Sequence, residues 1–112
     1  MLNLIKEETS YLLVQVNLTE ANLNQSDVFK NELITLLDSS KRSVWLDLQT
    51  VTYVDSSFLG ALVAALKHAI AMKCDVVLLG LQKDIADLLK LIRLDKVFKI
   101  YSTEQEALNA IG

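Results

Sequence analysis

A run of three residues, Asp55-Ser56-Ser57, carries the side-chain chemistry that is easiest to place in this sequence. It stands where a short apolar segment, residues 51–54, ends and an amphipathic helical pattern begins. The first turn of a helix has unpaired N–H groups and a partial positive charge, so a phosphate on a hydroxyl there is stabilised. Ser56 is therefore a candidate site for a phosphorylation switch. The simpler alternative is that Ser56 or Ser57 only caps the helix.

Catalysis by the chain itself is not expected, because the groups that a catalytic site needs are far apart. The only histidine, His68, lies twelve positions beyond Ser56 in the same predicted helix, which separates their backbones by about 18 Å. At that distance the imidazole cannot activate the hydroxyl. One cysteine, Cys74, and one histidine make no zinc signature, and the three glycines form no phosphate-binding loop. We therefore predict no enzyme activity, no metal and no cofactor.

The composition is that of a small globular domain. The chain has 112 residues, of which 52% are hydrophobic and 22% are charged, and domains usually contain about 100–150 residues. We expect a single domain over residues 1–112. The formal net charge of −3 argues against nucleic acid as a partner, because general phosphate-backbone binding depends on clustered Lys and Arg.

Neither a membrane span nor a secretory signal is predicted. The longest stretches without charge, Thr9–Thr19 and Ser56–Leu66, have eleven residues each, whereas a membrane-spanning helix needs about 18 or more. The segment Met1–Glu8 has neither the basic start nor the apolar run of a signal peptide. A lone cysteine, Cys74, can form no intramolecular disulfide. We expect a cytoplasmic protein that does not insert into membranes.

The order of apolar patterns predicts an α/β fold. The first two predicted strands are close enough to form a hairpin, and the later strand–helix alternation implies right-handed crossovers. The sequence therefore predicts a mixed sheet with parallel central strands, packed against about four helices. The predicted strands lie near residues 2–6, 11–16, 44–48, 76–79 and 97–101, and the helices begin near 26, near 56–57, before 85 and after 102.

Spacing within these elements predicts which side chains are buried. Alternation puts Trp45 on the sheet face opposite Val44 and Leu46, where a helix is expected to cover it. His68 is expected to point toward solvent. Helical spacing predicts buried positions at Leu59, Leu62, Val63, Leu66 and Ile70, at Ile85, Leu88, Leu89 and Ile92, and at Ala107, Leu108 and Ile111.

Several segments, in their order and spacing, resemble the STAS domain of anti-sigma factor antagonists. They are residues 44–48 (VWLDL), 51–57 (VTYVDSS), 59–60 (LG) and 92–98 (IRLDKVF). The resemblance spans about residues 11–111 and implies a mixed sheet with four helices. It also implies that Ser56, the first serine after the aspartate, is phosphorylated by a partner serine kinase that is itself the anti-sigma factor.

The mechanism that this resemblance implies is partner switching by a regulatory binding module. The unmodified domain would bind the kinase, phosphorylation would weaken that binding, and a phosphatase would restore it. Residues expected at the partner surface are Asp55, Ser57, Phe58 and Asn24. Phe58 stands where the family often has glycine, and it can either pack inward or contact a partner. Asn24 stands near the family's aspartate and lacks its charge.

Two other functions are compatible with the same sequence. Standalone STAS domains also resemble the cytoplasmic accessory subunit of bacterial phospholipid transporters, which implies a permease and an ATPase as partners. A small-ligand or nucleotide sensor would use a pocket near Asn24 and Ser56. The shortage of glycine-rich and basic phosphate-binding elements argues against this last alternative.

Overall fold

The computed structural model describes residues 1–111, and its elements follow the predicted α/β order. The strands are β1 (Leu2–Glu7), β2 (Tyr11–Val16), β3 (Glu20–Ala21), β4 (Ser43–Asp47), β5 (Tyr53–Val54), β6 (Val76–Leu79) and β7 (Lys99–Tyr101). The helices are α1 (Leu23–Ser40), α2 (Ser56–Ala71), α3 (Lys83–Leu91) and α4 (Glu104–Ile111), and a 3-10 turn covers Leu94–Lys96.

The main sheet has five strands in the order β1-β2-β4-β6-β7. The strand β1 is antiparallel to β2, as the predicted hairpin requires, and all other neighbours are parallel. Each parallel step crosses over through one helix, because a connection between parallel strands must return the chain to the starting edge. The prediction of a mixed sheet with parallel central strands is confirmed.

The two faces of this sheet bury different sets of side chains. One face packs against α1, α2 and α3, and its buried residues include Val14, Leu46 and Leu78. The other face packs against α4 through Trp45 and Val77. Adjacent residues of a strand point to opposite faces, so the alternation in β4 separates Leu46 from Trp45. The prediction that a helix covers Trp45 is confirmed.

The attachment of α4 depends on a polar contact as well as on apolar packing. The ring of Tyr11 stacks on that of Trp45, with 3.7 Å between ring centroids and 10° between planes. The Tyr11 hydroxyl donates a hydrogen bond to Glu104 at the start of α4, and Lys6 Nζ lies 2.8 Å from the same carboxylate. Burial and the bond to Glu104 raise the pKa of Tyr11. The hydrogen bonds from Lys6 and Tyr11 lower the pKa of Glu104.

A second, two-stranded parallel sheet of β3 and β5 holds two helix starts together. Ala21 pairs with Val54, and both side chains are buried. Nearby, Thr52 N donates to the carbonyl of Thr19 at 2.8 Å, and Asp55 N donates to the carbonyl of Ala21 at 3.2 Å. Since α1 begins two residues after Ala21 and α2 two residues after Val54, this pairing brings the two helix starts side by side.

The predicted start of α1 at Ser26 is wrong, because the helix begins three residues earlier at Leu23. Its N-cap is Asn22, whose side chain accepts from Asn24 N at 2.9 Å while its own N–H donates to the Gln25 side chain. Such a reciprocal cap satisfies two N–H groups at a helix start. Ser26 lies inside the helix, buried, and its hydroxyl donates to the Leu23 carbonyl at 3.2 Å.

Several residues predicted to be buried near element ends are exposed. The exposed fraction is 58% for Ile70, 46% for Ile92 and 43% for Ile111. Each lies in the last turn of a helix or just beyond it, where the buried stripe stops. The last strand begins at Lys99 rather than at Val97, because the 3-10 turn occupies the preceding residues.

Candidate functional site

Ser56 is the first residue of α2, and its side chain is exposed to solvent. The preceding residue, Asp55, is the N-cap and has extended backbone angles. N–H groups in the first turn of a helix have no partner within the helix, and they give that end a partial positive charge. The hydroxyl of Ser56 is therefore accessible to another protein at a positively polarised helix start.

Asp55 joins the start of α2 to the start of α1. Its Oδ1 accepts a hydrogen bond from Phe58 N at 2.9 Å, which caps α2. Its Oδ2 accepts one from Leu23 N, the first residue of α1, at 2.8 Å. Both carboxylate oxygens are thus used within the domain. The structure gives Asp55 a positioning role that the sequence did not predict, because the contact with Leu23 joins residues far apart in the chain.

Phe58 packs inward, which settles the two alternatives left open by the sequence. Its side chain is fully buried, and its ring lies against Phe29 of α1 with 4.4 Å between centroids. The expectation that Phe58 contacts a partner is therefore wrong for this structure. Helical spacing was the available signal, because Phe58 lies four residues before Leu62 on the buried stripe of α2.

Ser57 contributes to a cleft between α1 and α2, close to the place where the sensor alternative expects a pocket, although Asn24 and Ser56 themselves do not line it. The cleft has a volume of about 300 Å³. A methyl group added at Gly60 would meet no atom within 4 Å, so Gly60 opens directly onto this space. The cleft is lined by Leu23, Ser26, Asp27 and Lys30 of α1 and by Ser57, Gly60, Ala61 and Ala64 of α2.

Asn24 lies on the same side of the molecule as Ser56. Its side chain is exposed in the first turn of α1, and the start of α1 is bound to that of α2 through Asp55. Leu23 beside it is 68% exposed, an unusual degree for a large apolar residue. The structure therefore brings Asn24, Ser56 and Ser57 to one surface, bordered by the α1–α2 cleft.

No group of three or more His, Cys, Asp or Glu side chains in residues 1–111 is arranged to hold a metal ion. His68 lies away from Ser56, near the end of α2, where its Nε2 is 2.7 Å from Asp38 of α1. Its ring is partly exposed, in agreement with the predicted orientation toward solvent. Among the same residues, none of the helices is long and apolar enough to cross a bilayer.

The elements and the joined helix starts define a small α/β domain with a mixed main sheet, in which the β3–β5 sheet and Asp55 hold two helix N-termini together. The sequence pattern of the STAS domain matches residues 8–107 of the chain. The chain belongs to the STAS domain family.

Solved structures with the same fold have different described roles. An anti-sigma-factor antagonist (STAS) domain protein from Planctomyces limnophilus has 21% identity and a TM-score of 0.83, with 97% of this chain and 96% of that chain covered. The Bacillus cell fate determinant SpoIIAA, in its phosphorylated form, has 13% identity and a TM-score of 0.73, and both chains are covered completely at 100%. A sulfate transporter family protein from Wolinella succinogenes has 11% identity and a TM-score of 0.77, with coverage of 92% and 85%.

Proposed function

We propose that this STAS domain is a regulatory binding module of the anti-sigma factor antagonist type, switched by phosphorylation of Ser56. In this proposal the unmodified surface around Ser56 binds a protein partner, a serine kinase that acts as an anti-sigma factor. Phosphorylation weakens the complex, and a phosphatase restores it. The observation that supports the proposal is the exposed hydroxyl of Ser56 at the start of α2, beside the α1–α2 cleft.

The local structure is suited to carry a phosphate without loss of the fold. The side chain of Ser56 makes no contact that the core requires, since the cap of α2 is supplied by Asp55. A phosphate adds about −1.5 to −2 charge units and lies where the helix dipole stabilises it. The domain therefore tolerates the modification, and its effect falls on whatever binds this surface.

The charges around Ser56 explain why phosphorylation weakens the binding of a partner. Asp55 and Asp27 are acidic, and Lys30 is the basic residue that lines the cleft. A phosphate on Ser56 makes this surface more negative, so it repels an acidic partner surface. Burial of the phosphate against an apolar partner surface costs desolvation energy. The structural neighbour SpoIIAA is described in a phosphorylated form, which supports the proposal that a domain of this fold can carry the modification.

Affinity capture from the source cell tests the proposal with three forms of the full chain: the unmodified protein, Ser56→Ala and Ser56→Asp. We expect the first two forms to retain a serine kinase. The amount retained by Ser56→Asp should be lower by a factor of about ten or more, because like charges at an interface repel. Ser102→Asp is the matched control, since it adds the same charge to an exposed serine ahead of another helix, α4. Equal retention by Ser56→Asp and Ser102→Asp would contradict the switch.

Addition of ATP to the captured complex, followed by phosphopeptide mapping, tests the site itself. We expect phosphate on Ser56, and labelling that persists in Ser56→Ala would refute the assignment. The fold also occurs in a transporter family protein, so the identity of the captured partner matters. Copurification of a permease and an ATPase with no kinase would favour the transporter-associated alternative.

A further inference from the structure

The end of α3 and the turn after it form an exposed segment that is both basic and aliphatic, here named the basic knob. It comprises the exposed residues Lys90, Leu91, Ile92, Arg93, Lys96 and Val97. Arg93 has a left-handed backbone (φ 65°), which ends the helix and leads into the 3-10 turn. Buried Phe98 and half-buried Leu94 anchor the segment to the core.

Three aliphatic side chains of the basic knob face solvent. The exposed fraction is 79% for Leu91, 46% for Ile92 and 51% for Val97. Single exposed apolar residues are ordinary, but three within seven positions form a patch of the kind that marks an interaction surface. The core does not require them, because Leu94 and Phe98 already anchor this part of the chain.

The basic side chains of the knob are free to meet a negative surface. Lys90, Arg93 and Lys96 make no ion pair with any residue among 1–111, whereas Lys99 is 3.2 Å from Asp75. Residues 88–99 contain four basic and one acidic side chain, in a chain whose formal net charge is −3. This segment is therefore net positive, although the chain as a whole is net negative.

We propose that the basic knob docks on the surface of an anionic lipid bilayer. Its aliphatic side chains would enter the headgroup region, while the cations of Lys90, Arg93 and Lys96 bind lipid phosphates. A bilayer fits better than an acidic protein because the segment exposes aliphatic and basic side chains together, which suits the acyl boundary and the headgroup phosphates, and residues 90–99 line none of the described cavities. A deformable surface needs no matching groove.

Docking in this orientation leaves the Ser56 surface accessible. The helix α2 starts after the carboxyl end of β4, whereas the knob precedes the amino end of β7. Because β4, β6 and β7 are parallel, the start of α2 and the knob lie at opposite ends of the strands. The membrane proposal is therefore independent of the proposed switch, and its failure would leave that switch untouched.

Cosedimentation with vesicles tests the proposal directly. The full chain is mixed with vesicles of phosphatidylcholine alone, or of phosphatidylcholine with an equal share of phosphatidylglycerol. We expect binding to the anionic vesicles only, weakened by salt. The variant Lys90→Gln/Arg93→Asn/Lys96→Gln is expected to bind about a hundredfold more weakly, since each basic residue near an anionic surface contributes about fivefold. Leu91→Ser/Ile92→Ser is expected to lose about tenfold, from reduced apolar burial.

The control changes two lysines away from the amino ends of the strands, Lys30→Gln/Lys83→Gln, and is compared with Lys90→Gln/Lys96→Gln, which removes the same total charge from the knob. Arg93 has a left-handed backbone (φ 65°), which asparagine tolerates, so the triple knob variant uses asparagine at that position. We expect the control to bind anionic vesicles as the unchanged protein does. Equal loss in the knob and control variants, or equal binding to neutral vesicles, would overturn the proposal. So would binding of a polyglutamate peptide with no binding to vesicles, which would assign the knob to an acidic protein.

Discussion

Asp55→Ala removes the carboxylate that holds the starts of α1 and α2 together. Two hydrogen bonds are lost, one from Phe58 N at 2.9 Å and one from Leu23 N at 2.8 Å. Loss of an N-cap side chain costs about 1 kcal/mol and up to about 2. Loss of the second bond costs about 1 kcal/mol more, less than is usual for a charged acceptor because Asp55 is partly exposed.

These losses together lower the free energy of unfolding by about 2–3 kcal/mol. For a domain of this size the corresponding fall in Tm is about 10–15 °C. Asp55→Asn retains one carbonyl oxygen and a residue suited to an N-cap, so we expect about half of that loss. Urea denaturation followed by circular dichroism measures the difference, with the m-value unchanged if only stability is affected.

Asp84→Ala serves as the control, because Asp84 is an exposed acid in the first turn of α3, a helix that has no side-chain cap. Its removal is expected to cost less than about 1 kcal/mol. Amide exchange adds a local readout, since the N–H groups of Leu23 and Phe58 should exchange faster in Asp55→Ala. A loss no larger than that of Asp84→Ala, with exchange at both amides unchanged, would refute the positioning role.

Three further changes test other parts of the structure. Phe58→Ala should lower the free energy of unfolding by about 3–5 kcal/mol, because it leaves a cavity in the core; a loss below about 1 kcal/mol in urea denaturation would contradict its burial. Gly80→Ala should cost about 1–2 kcal/mol, since Gly80 has φ 67° and a Cβ there would lie 3.3 Å from Asp47 Oδ1; unchanged stability would contradict this geometry. The pKa of Glu104 is lowered mainly by its hydrogen bond with Lys6. Its contribution to stability is therefore present above the ordinary glutamate pKa and is lost as pH falls through the lowered pKa. Glu104→Gln should therefore reduce stability at neutral pH and flatten its dependence on acid, and parallel pH curves for the two proteins would show that the ion pair has no effect.

Short-range patterns predicted most of the fold. The alternation in residues 44–48 identified β4 and the face on which Trp45 lies, because strand side chains alternate strictly. The apolar run 76–79 identified β6, whose four residues are all buried. These features depend on neighbours in the sequence and were therefore accessible from it.

The features that were missed depend on contacts between distant segments. The sequence placed the start of α1 at Ser26, whereas the reciprocal cap by Asn22 and the pairing of β3 with β5 set it at Leu23. Two residues of strand give no period to detect. The buried stripes were extended too far at Ile70 and Ile92, since helical spacing does not show where the covering layer ends.

The candidate site was predicted only in part, because some of its features depend on contacts between distant segments. The position of Ser56 at a helix start followed from the pattern change around residue 55, and the structure has it there, exposed. The residues that line the α1–α2 cleft and the bond from Leu23 to Asp55 were not predictable, because they depend on how two helices pack. The phosphorylation of Ser56 is a proposal.

The most direct test of the central proposal is the affinity of the captured kinase for two forms of the full chain, measured by titration calorimetry. One form carries serine at position 56, and the other carries phosphoserine introduced there during translation. We predict that the affinity of the phosphoserine form is lower by a factor of about ten or more, as expected for a new negative charge at the interface. Equal affinity of the two forms would contradict a switch at Ser56.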